Sequence, residues 1–307
     1  MINDYRTQRT GSAMKERLLS QRVRFERPVL EEIRDEGFFA VDMHVHTNHS
    51  DAPVRVKDTV KKAKKIGFGL AITDHNAISG YREARRYDRE MLLVPGIEVS
   101  ASDGPHILIY FYSDGDIDDF YSRFIRDNKR KSPCLAIRLG TPEILDAAGQ
   151  YHCIAAAAHP YGYLIFNKGL QKCIDAGYLP QDLIGSFDAL EAVCGAMTRL
   201  ENQKAIHLAE KHDMGIVGGT DSHLLYETGR VLTCSKAQTA DEFLDNITRK
   251  ENFVIGKEKH LLEKGFSGTI VLTKYLRYTL PSLAIHYEQN MPRAKRFARR
   301  MWTHLKR

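Results

Sequence analysis

Seven short apolar runs punctuate this chain, and five of them carry histidine or a carboxylate at or near the carboxyl end. Those five are "FFAVDMHVH", "GLAITDH", "LLVPGIEVS", "CIAAAAHP" and "GIVGGTDSH"; "HILIYFY" and "DALEAVC" complete the set. Runs this short and this apolar read as strands buried on both faces, which is the habit of parallel sheets. The stretches between them read as helices. In "RVKDTVKKAKKIG", Val56, Val60, Ala63 and Ile66 fall near helical spacing and Gly67 is placed to stop the helix; in "RLENQKAIHLAEKHDMG", Leu200, Ala205, Leu208 and Ala209 do the same, with Gly215 as the stop. Alternating strands and helices imply a parallel α/β sheet, and about seven repeats favour a closed barrel over an open sheet. In a parallel barrel all carboxyl ends meet on one face, so residues remote in sequence meet in space.

The residues expected on that face are Asp42, His44 and His46, alternating and so projecting to one side; Asp74 and His75; Glu98; His159; and Asp221 with His223, again two apart. Imidazole and carboxylate without thiolate suit divalent zinc, manganese or iron. Seven or more such groups exceed what one ion takes, so two or three ions sharing a carboxylate are expected. Such a centre activates water and clamps phosphoryl oxygens. No Ser or Cys stands in a nucleophile context such as GxSxG, which favours direct attack by water. His152, His207, His212, His260, His286 and His304 read as ordinary surface or core residues.

An apolar fraction of 43% and a charged fraction of 27% belong to a soluble globular chain. Five unpatterned cysteines read as reduced thiols, and with no signal-like start and no long apolar run the expected location is the cytoplasm. The net charge of +6 is unevenly placed. Residues 274–307 hold nine Lys/Arg against Glu288 alone, a balance of +8, which leaves −2 for the other 273 residues.

At "DMHVHTNHSDA", "GFGLAITDHN", "VPGIEVS", "AAAAHPYG" and "GGTDSH", in that order over residues 40 to about 255, the sequence resembles the polymerase and histidinol phosphatase (PHP) superfamily. The resemblance implies a distorted (β/α)7 barrel with up to three metals. Residues 39–255 would form that barrel, between a helical lead-in (1–38) and a basic, largely helical C-terminal extension (256–307). It further implies that His44 and His46 hold a first metal with Glu98 and Asp221. Glu98 would bridge to a second, completed by His159 and a histidine of the following strand. His75, His223 and a first-loop residue would hold a third. Asp51 is the favoured first-loop ligand, with His49 close enough to compete; His106 best matches the second-metal histidine, against a reading as a plain strand-end residue. Asp42 would stand behind the ligands, fixing a histidine tautomer.

The implied activity is metal-dependent hydrolysis of phosphate monoesters, of nucleotides or small metabolites, or of short oligonucleotides. Asp42, His44, His223 and Arg230 are assigned to the catalytic step, and Arg230, Arg199 and Lys168 to phosphate binding. The alternative is a non-catalytic module of the same type that binds nucleic acid or another partner. Only about fifty residues separate His106 from His159, which leaves little room for an inserted cap and implies an open site. Lys129, Arg130 and Lys131 in that segment could approach an anionic substrate. In "PRAKRFARRMWTHLKR", Ala294, Phe297, Ala298, Met301, Trp302 and Leu305 form one helical face, with basic residues covering the rest. Such a helix can pack on the barrel, lie on an anionic membrane surface, or meet a polyanion.

Overall fold

The computed structural model describes residues 22–162 and 168–305. A ten-stranded sheet curls around the barrel axis, its neighbouring strands starting in turn at residues 23, 252, 231, 39, 69, 93, 106, 153, 189 and 215. The barrel proper starts at β2 (Phe39–Val45), crosses through helix α2 (Val56–Ile66) to β3 (Gly69–Ile72), and through α3 (Ser79–Tyr87) to β4 (Leu93–Ser100). Then the direction changes. β5 (His106–Phe111) runs antiparallel to both β4 and β6 (Cys153–Ala157), with Ser100 opposite His106 and Phe111 opposite Cys153. Residues 112–152 between them include the helices α4 (Asp114–Phe120) and α5 (Thr141–Ala148). The parallel pattern resumes after α6 (Leu170–Asp175) with β7 (Ala189–Cys194), α7 (Arg199–Lys211) and β8 (Gly215–Gly219).

The expectation of seven parallel strands is therefore corrected at "HILIYFY". Only residues 101–105 join β4 to β5, with Gly104 at φ +131° donating its N–H to the Ala101 carbonyl. A parallel connection needs a dozen residues or more, so a link this short turns the chain straight back.

Closure comes from the far end. Val45 bridges Ser222 in parallel fashion, and the His46 N–H donates to the Ser222 carbonyl at 3.1 Å. β9 (Val231–Ser235) then runs antiparallel to the base of β2, followed by α8 (Ala240–Thr248) and β10 (Asn252–Gly256). β1 (Val23–Arg24) pairs with β10, ahead of the short helix α1 (Leu30–Asp35). None of β1, β9 and β10 stood out as an apolar run. Most of the expected helical lead-in, residues 1–21, lies outside the described residues.

Local signals were realised unevenly. Gly67 does cap α2, at φ +94°, with its N–H on the Ala63 carbonyl. Ile66, expected on the buried face, is exposed at the end of the helix. Gly215 does not stop α7: the helix ends at Lys211, Asp213 takes the left-handed turn at φ +51°, and Gly215 opens β8. Leu200 faces solvent, and Thr198 caps α7 with Glu201 reciprocating. One apolar cluster fills the lower barrel with Val41, Met43, Ala71, Leu108, Tyr110 and Val217, and a larger one joins the sheet to its helices. The chain continues as a C-terminal arm, α9 (Leu261–Tyr275), a 3₁₀ turn, and α10 (Thr279–Leu305).

The barrel seam makes one testable demand. A Cβ on Gly219 would lie 2.4 Å from His44 Cβ and 2.5 Å from His44 N, where β8 closes on β2. Gly219→Ala is expected to cost about 1–3 kcal/mol, read as a lower urea midpoint, because backbone on both sides must shift. Gly185→Ala, whose Cβ would meet nothing within 4 Å, serves as the control. Equal midpoints for the two variants would refute the tight seam.

Candidate metal centre

The strand ends deliver nine imidazole and carboxylate side chains to one buried cluster: His44, His46, Asp51, His75, Glu98, His106, His159, Asp221 and His223. The most exposed of them, His223, is only 8% accessible. The reversed β5 explains one member. His106 opens its strand, yet it sits beside Glu98 near the close of β4, because antiparallel pairing brings a start to an end.

Three groupings share Glu98. In the first, His44 Nε2 and His46 Nε2 face each other at 3.1 Å; each lies 3.3 Å from Glu98 Oε2, and Asp221 Oδ1 stands 3.7 and 3.1 Å from them. Donors about 2.1 Å from a tetrahedral ion are separated by about 3.4 Å, and the spacings among His44, His46 and Asp221 are close to that value. In the second, Glu98 Oε1 lies 3.0 Å from His106 Nδ1 and 3.3 Å from His159 Nε2. In the third, Asp51 lies 3.2 Å from His223 Nε2 and 3.5 Å from His75 Nε2, while His75 Nδ1 is 2.9 Å from Glu98 Oε2. Glu98 Oε2 is buried and makes no hydrogen bond despite three ring nitrogens around it, a mismatch that a cation resolves. These donors fit divalent metal ions.

His49 turns away, to Ser79 at 2.8 Å and Glu83 at 2.6 Å. The first-loop residue in the cluster is Asp51. Asp74, which precedes His75, shapes that loop by accepting from Thr47 N, Thr47 Oγ1 and Ser50 Oγ at 2.7, 2.7 and 2.5 Å.

Charge is distributed by proximity. Burial opposes a proton on His75, but Glu98 and Asp51 raise its pKa to about 9. Burial likewise opposes charge on His44, which Glu191, Glu98 and Asp221 nevertheless hold well above the usual imidazole range. His106 goes the other way, down to about 3, because burial outweighs Glu98. Burial disfavours the charged forms of Glu98 and Asp221 too, but the surrounding imidazoles keep both carboxylates well below their ordinary range. Backbone strain accumulates at the same place: His159 and Asp221 hold φ of +28° and +47°. Side chains other than glycine seldom take that region, which costs about 1–3 kcal/mol.

Asp42 requires a correction. Its carboxylate meets no histidine ring nitrogen among the described contacts, so it does not fix a tautomer. Its carboxylate accepts from Thr220 Oγ1 (2.6 Å), Thr220 N (2.9 Å) and Gly229 N (2.8 Å), and burial raises its pKa to about 6 against those bonds. The tautomer-fixing contact belongs to Glu191, whose Oε1 lies 2.9 Å from His44 Nδ1 and whose Oε2 accepts from His159 N at 2.7 Å. Its signal was legible: a carboxylate in the middle of the apolar run "DALEAVC" needs a buried partner. Glu227 and Lys259 were missed with less signal. Both are buried, 2.9 Å apart; Glu227 also accepts from His223 N and Leu224 N, and Lys259 reaches the Asp221 carbonyl at 3.1 Å, so the pair sets the loop that carries Asp221 and His223.

Of the expected phosphate-binding residues, Lys168 is buried beside the cluster: its carbonyl accepts from His106 N at 3.0 Å, and its charge depresses the His106 pKa. Arg230 and Arg199 are not brought there. Arg230 pairs with Glu263 on α9 at 2.9 Å, and Arg199 pairs with Glu258 at 3.1 Å and lies over the Phe25 ring. The expected open mouth is also corrected, since the cover comes from the C-terminal arm. Tyr275 donates to Asp51 Oδ2 at 3.1 Å, Ser282 meets Ser132 at 3.2 Å, and Arg130 pairs with Glu288. A groove of about 400 Å³ lined by Phe38, Gly69 and Met91 opens at the amino ends of the strands instead, away from this chemistry.

Glu191→Gln tests the support of the cluster. With the charge behind His44 removed, affinity for Mn²⁺ or Zn²⁺ is expected to fall about 10- to 100-fold, measured by competition with a chromophoric chelator. Unchanged affinity would assign Glu191 a purely structural part.

A family model for the PHP domain matches residues 42–307. No curated protein matches the chain significantly. Among solved structures, the lesion-specific endonuclease PfuEndoQ from Pyrococcus furiosus superposes with a TM-score of 0.56 at 18% identity, over 71% of this chain and 57% of that one. A two-domain protein from Bacteroides vulgatus containing a predicted PHP-like metal-dependent phosphoesterase gives 0.51 at 17%, over 76% and 68%. PsfC from Pseudomonas syringae gives 0.51 at 15%, over 78% and 98%. At these identities the likeness is one of fold, whereas the family match spans most of the chain. The chain belongs to the PHP domain family.

Proposed function

We propose that this protein is a metal-dependent phosphoesterase that hydrolyses phosphate monoesters of nucleotides or small metabolites, or short oligonucleotides. One observation carries the reading: nine donors from seven separate segments converge with spacings suited to metal coordination, joined through one carboxylate, Glu98. His44, His46, Glu98 and Asp221 would hold one ion; Glu98, His106 and His159 a second; Asp51, His75 and His223 a third. Bound there, divalent ions supply Lewis acidity and a water acidic enough to ionise near neutral pH.

The chain's own groups do the remaining work. Glu191 accepts the His44 Nδ1 proton and so presents the Nε2 lone pair to the centre. Lys168 places a positive charge next to His106, where phosphoryl oxygens would collect it. Glu227 and Lys259 hold the Asp221–His223 loop in register. The arm adjoins the site through the Tyr275 hydroxyl, which donates to Asp51. The likeness to endonuclease Q supports including oligonucleotides among the candidates.

The test is a panel of aryl phosphate, histidinol phosphate, nucleotides with 5′ or 3′ phosphates, and short oligonucleotides, assayed with Mn²⁺. Turnover is expected on at least one class. EDTA or His44→Ala should reduce it by more than the about 10- to 100-fold typical of losing an outer partner. Full metal occupancy without turnover on any class would favour the non-catalytic alternative.

Metal loading should also release protons. His75, with its pKa near 9, is protonated at pH 7 in the metal-free protein and must lose that proton to become a ligand. Apparent affinity is therefore expected to rise between pH 6 and about 9, and titration calorimetry in buffers of different ionisation enthalpy should register the release. Binding that neither releases protons nor varies with pH would contradict the assignment of His75.

A further inference from the structure

The helix α9 is seated the wrong way round for a surface helix. Its polar side chains face the barrel: Glu263 pairs with Arg230, Lys264 Nζ donates to the Met197 carbonyl at 2.7 Å, and Ser267 donates to Glu227. Its leucines face out. Leu262, Phe266, Leu272, Leu276, Leu280 and Leu283 are between 59% and 88% exposed. At 3.6 residues per turn these six fall within roughly a third of the helix circumference, from α9 across the 3₁₀ turn into α10. Ordinary surface helices bury such a stripe, and an exposed apolar surface of this length marks a docking site.

We propose that this arm docks the protein on an anionic lipid surface, with the leucine stripe entering the acyl boundary and the basic residues of α10 meeting the headgroups. Charge complementarity selects this occupant. From residue 274 onward the chain carries +8, and its one acid, Glu288, is already paired with Arg130. A second copy of the chain would cover the leucines but bring two such basic segments together. A nucleic acid would match the charge and leave the leucines in water. An anionic bilayer surface satisfies both sides of the arm at once. Among the described residues no helix is long and apolar enough to cross a membrane, so the arm lies on the surface. The proposal does not depend on the phosphoesterase reading.

The experiment uses the full chain with vesicles of phosphatidylcholine alone or mixed with phosphatidylglycerol. Trp302, the single tryptophan and 64% exposed, reports directly. Expected are co-sedimentation with anionic vesicles, a blue shift of tryptophan emission, and loss of both in high salt. The paired change Leu262→Glu and Phe266→Glu should weaken binding about 10-fold or more, as should Arg277→Glu with Lys295→Glu. All four side chains are exposed, so the melting temperature and Mn²⁺ affinity of these variants should match the wild type. Three results would overturn the proposal. They are no binding to anionic vesicles, a solution dimer dissolved by the Leu262 and Phe266 changes, and salt-sensitive oligonucleotide binding without vesicle binding.

Discussion

Three carboxylates, Asp51, Glu98 and Asp221, are buried together at one end of a barrel, and much of the surrounding structure serves to make that tolerable. Isolated buried charges cost several kcal/mol each. Here six imidazoles surround them, and Glu98 alone lies within 3.3 Å of five: His44, His46, His75, His106 and His159. Imidazole is the side chain that can balance a carboxylate as a cation or yield the proton and act as a neutral ligand. The same cluster is thus compatible with a folded metal-free protein and with metal, the protons of one state being exchanged for the ions of the other.

Bringing these groups together required departures from barrel regularity. β5 is reversed, which sets His106 beside Glu98 although it starts its strand. The β2–β3 and β7–β8 ladders shift register at Asp42–Val45 and Glu191–Val193, next to the residues that must be re-aimed. His159 and Asp221 accept left-handed backbone, and Gly219 lets β8 approach His44 more closely than any side chain would allow. Regularity is given up where the clustered side chains are placed, the distribution expected when geometry at a site is over-determined by its surroundings.

The convergence of these residues was readable because strand periodicity and residue chemistry agree there: an apolar run that ends in histidine has little reason to do so without a partner. Direction was not readable from "HILIYFY" itself, since a buried strand looks alike in either sense; the information lay in the five-residue link before it. Asp42 was given the tautomer-fixing contact that Glu191 makes, and its own partners, Thr220 and Gly229, stand 178 and 187 residues away. Lys259 and Tyr275 act through contacts of 32 to 224 residues' separation, which no local pattern encodes, and Glu227 joins its local bonds to the long-range one with Lys259. Arg230 and Arg199 looked available for phosphate by proximity in sequence, but Glu263 and Glu258 claim their guanidiniums.

The arm joins these themes. The segment between β5 and β6 meets the C-terminal end of the chain beside the site, Ser132 with Ser282 and Arg130 with Glu288. Asp51 is consequently held from two directions, by a loop clamped on Asp74 and by the Tyr275 hydroxyl from the arm. Asp51 is fully enclosed at that bond and Tyr275 only partly so, which makes the contact the inner edge of the arm's cover. An outward leucine stripe and an inward tyrosine thus stand on one helical element, which turns its polar contacts to the barrel and its apolar side chains to solvent.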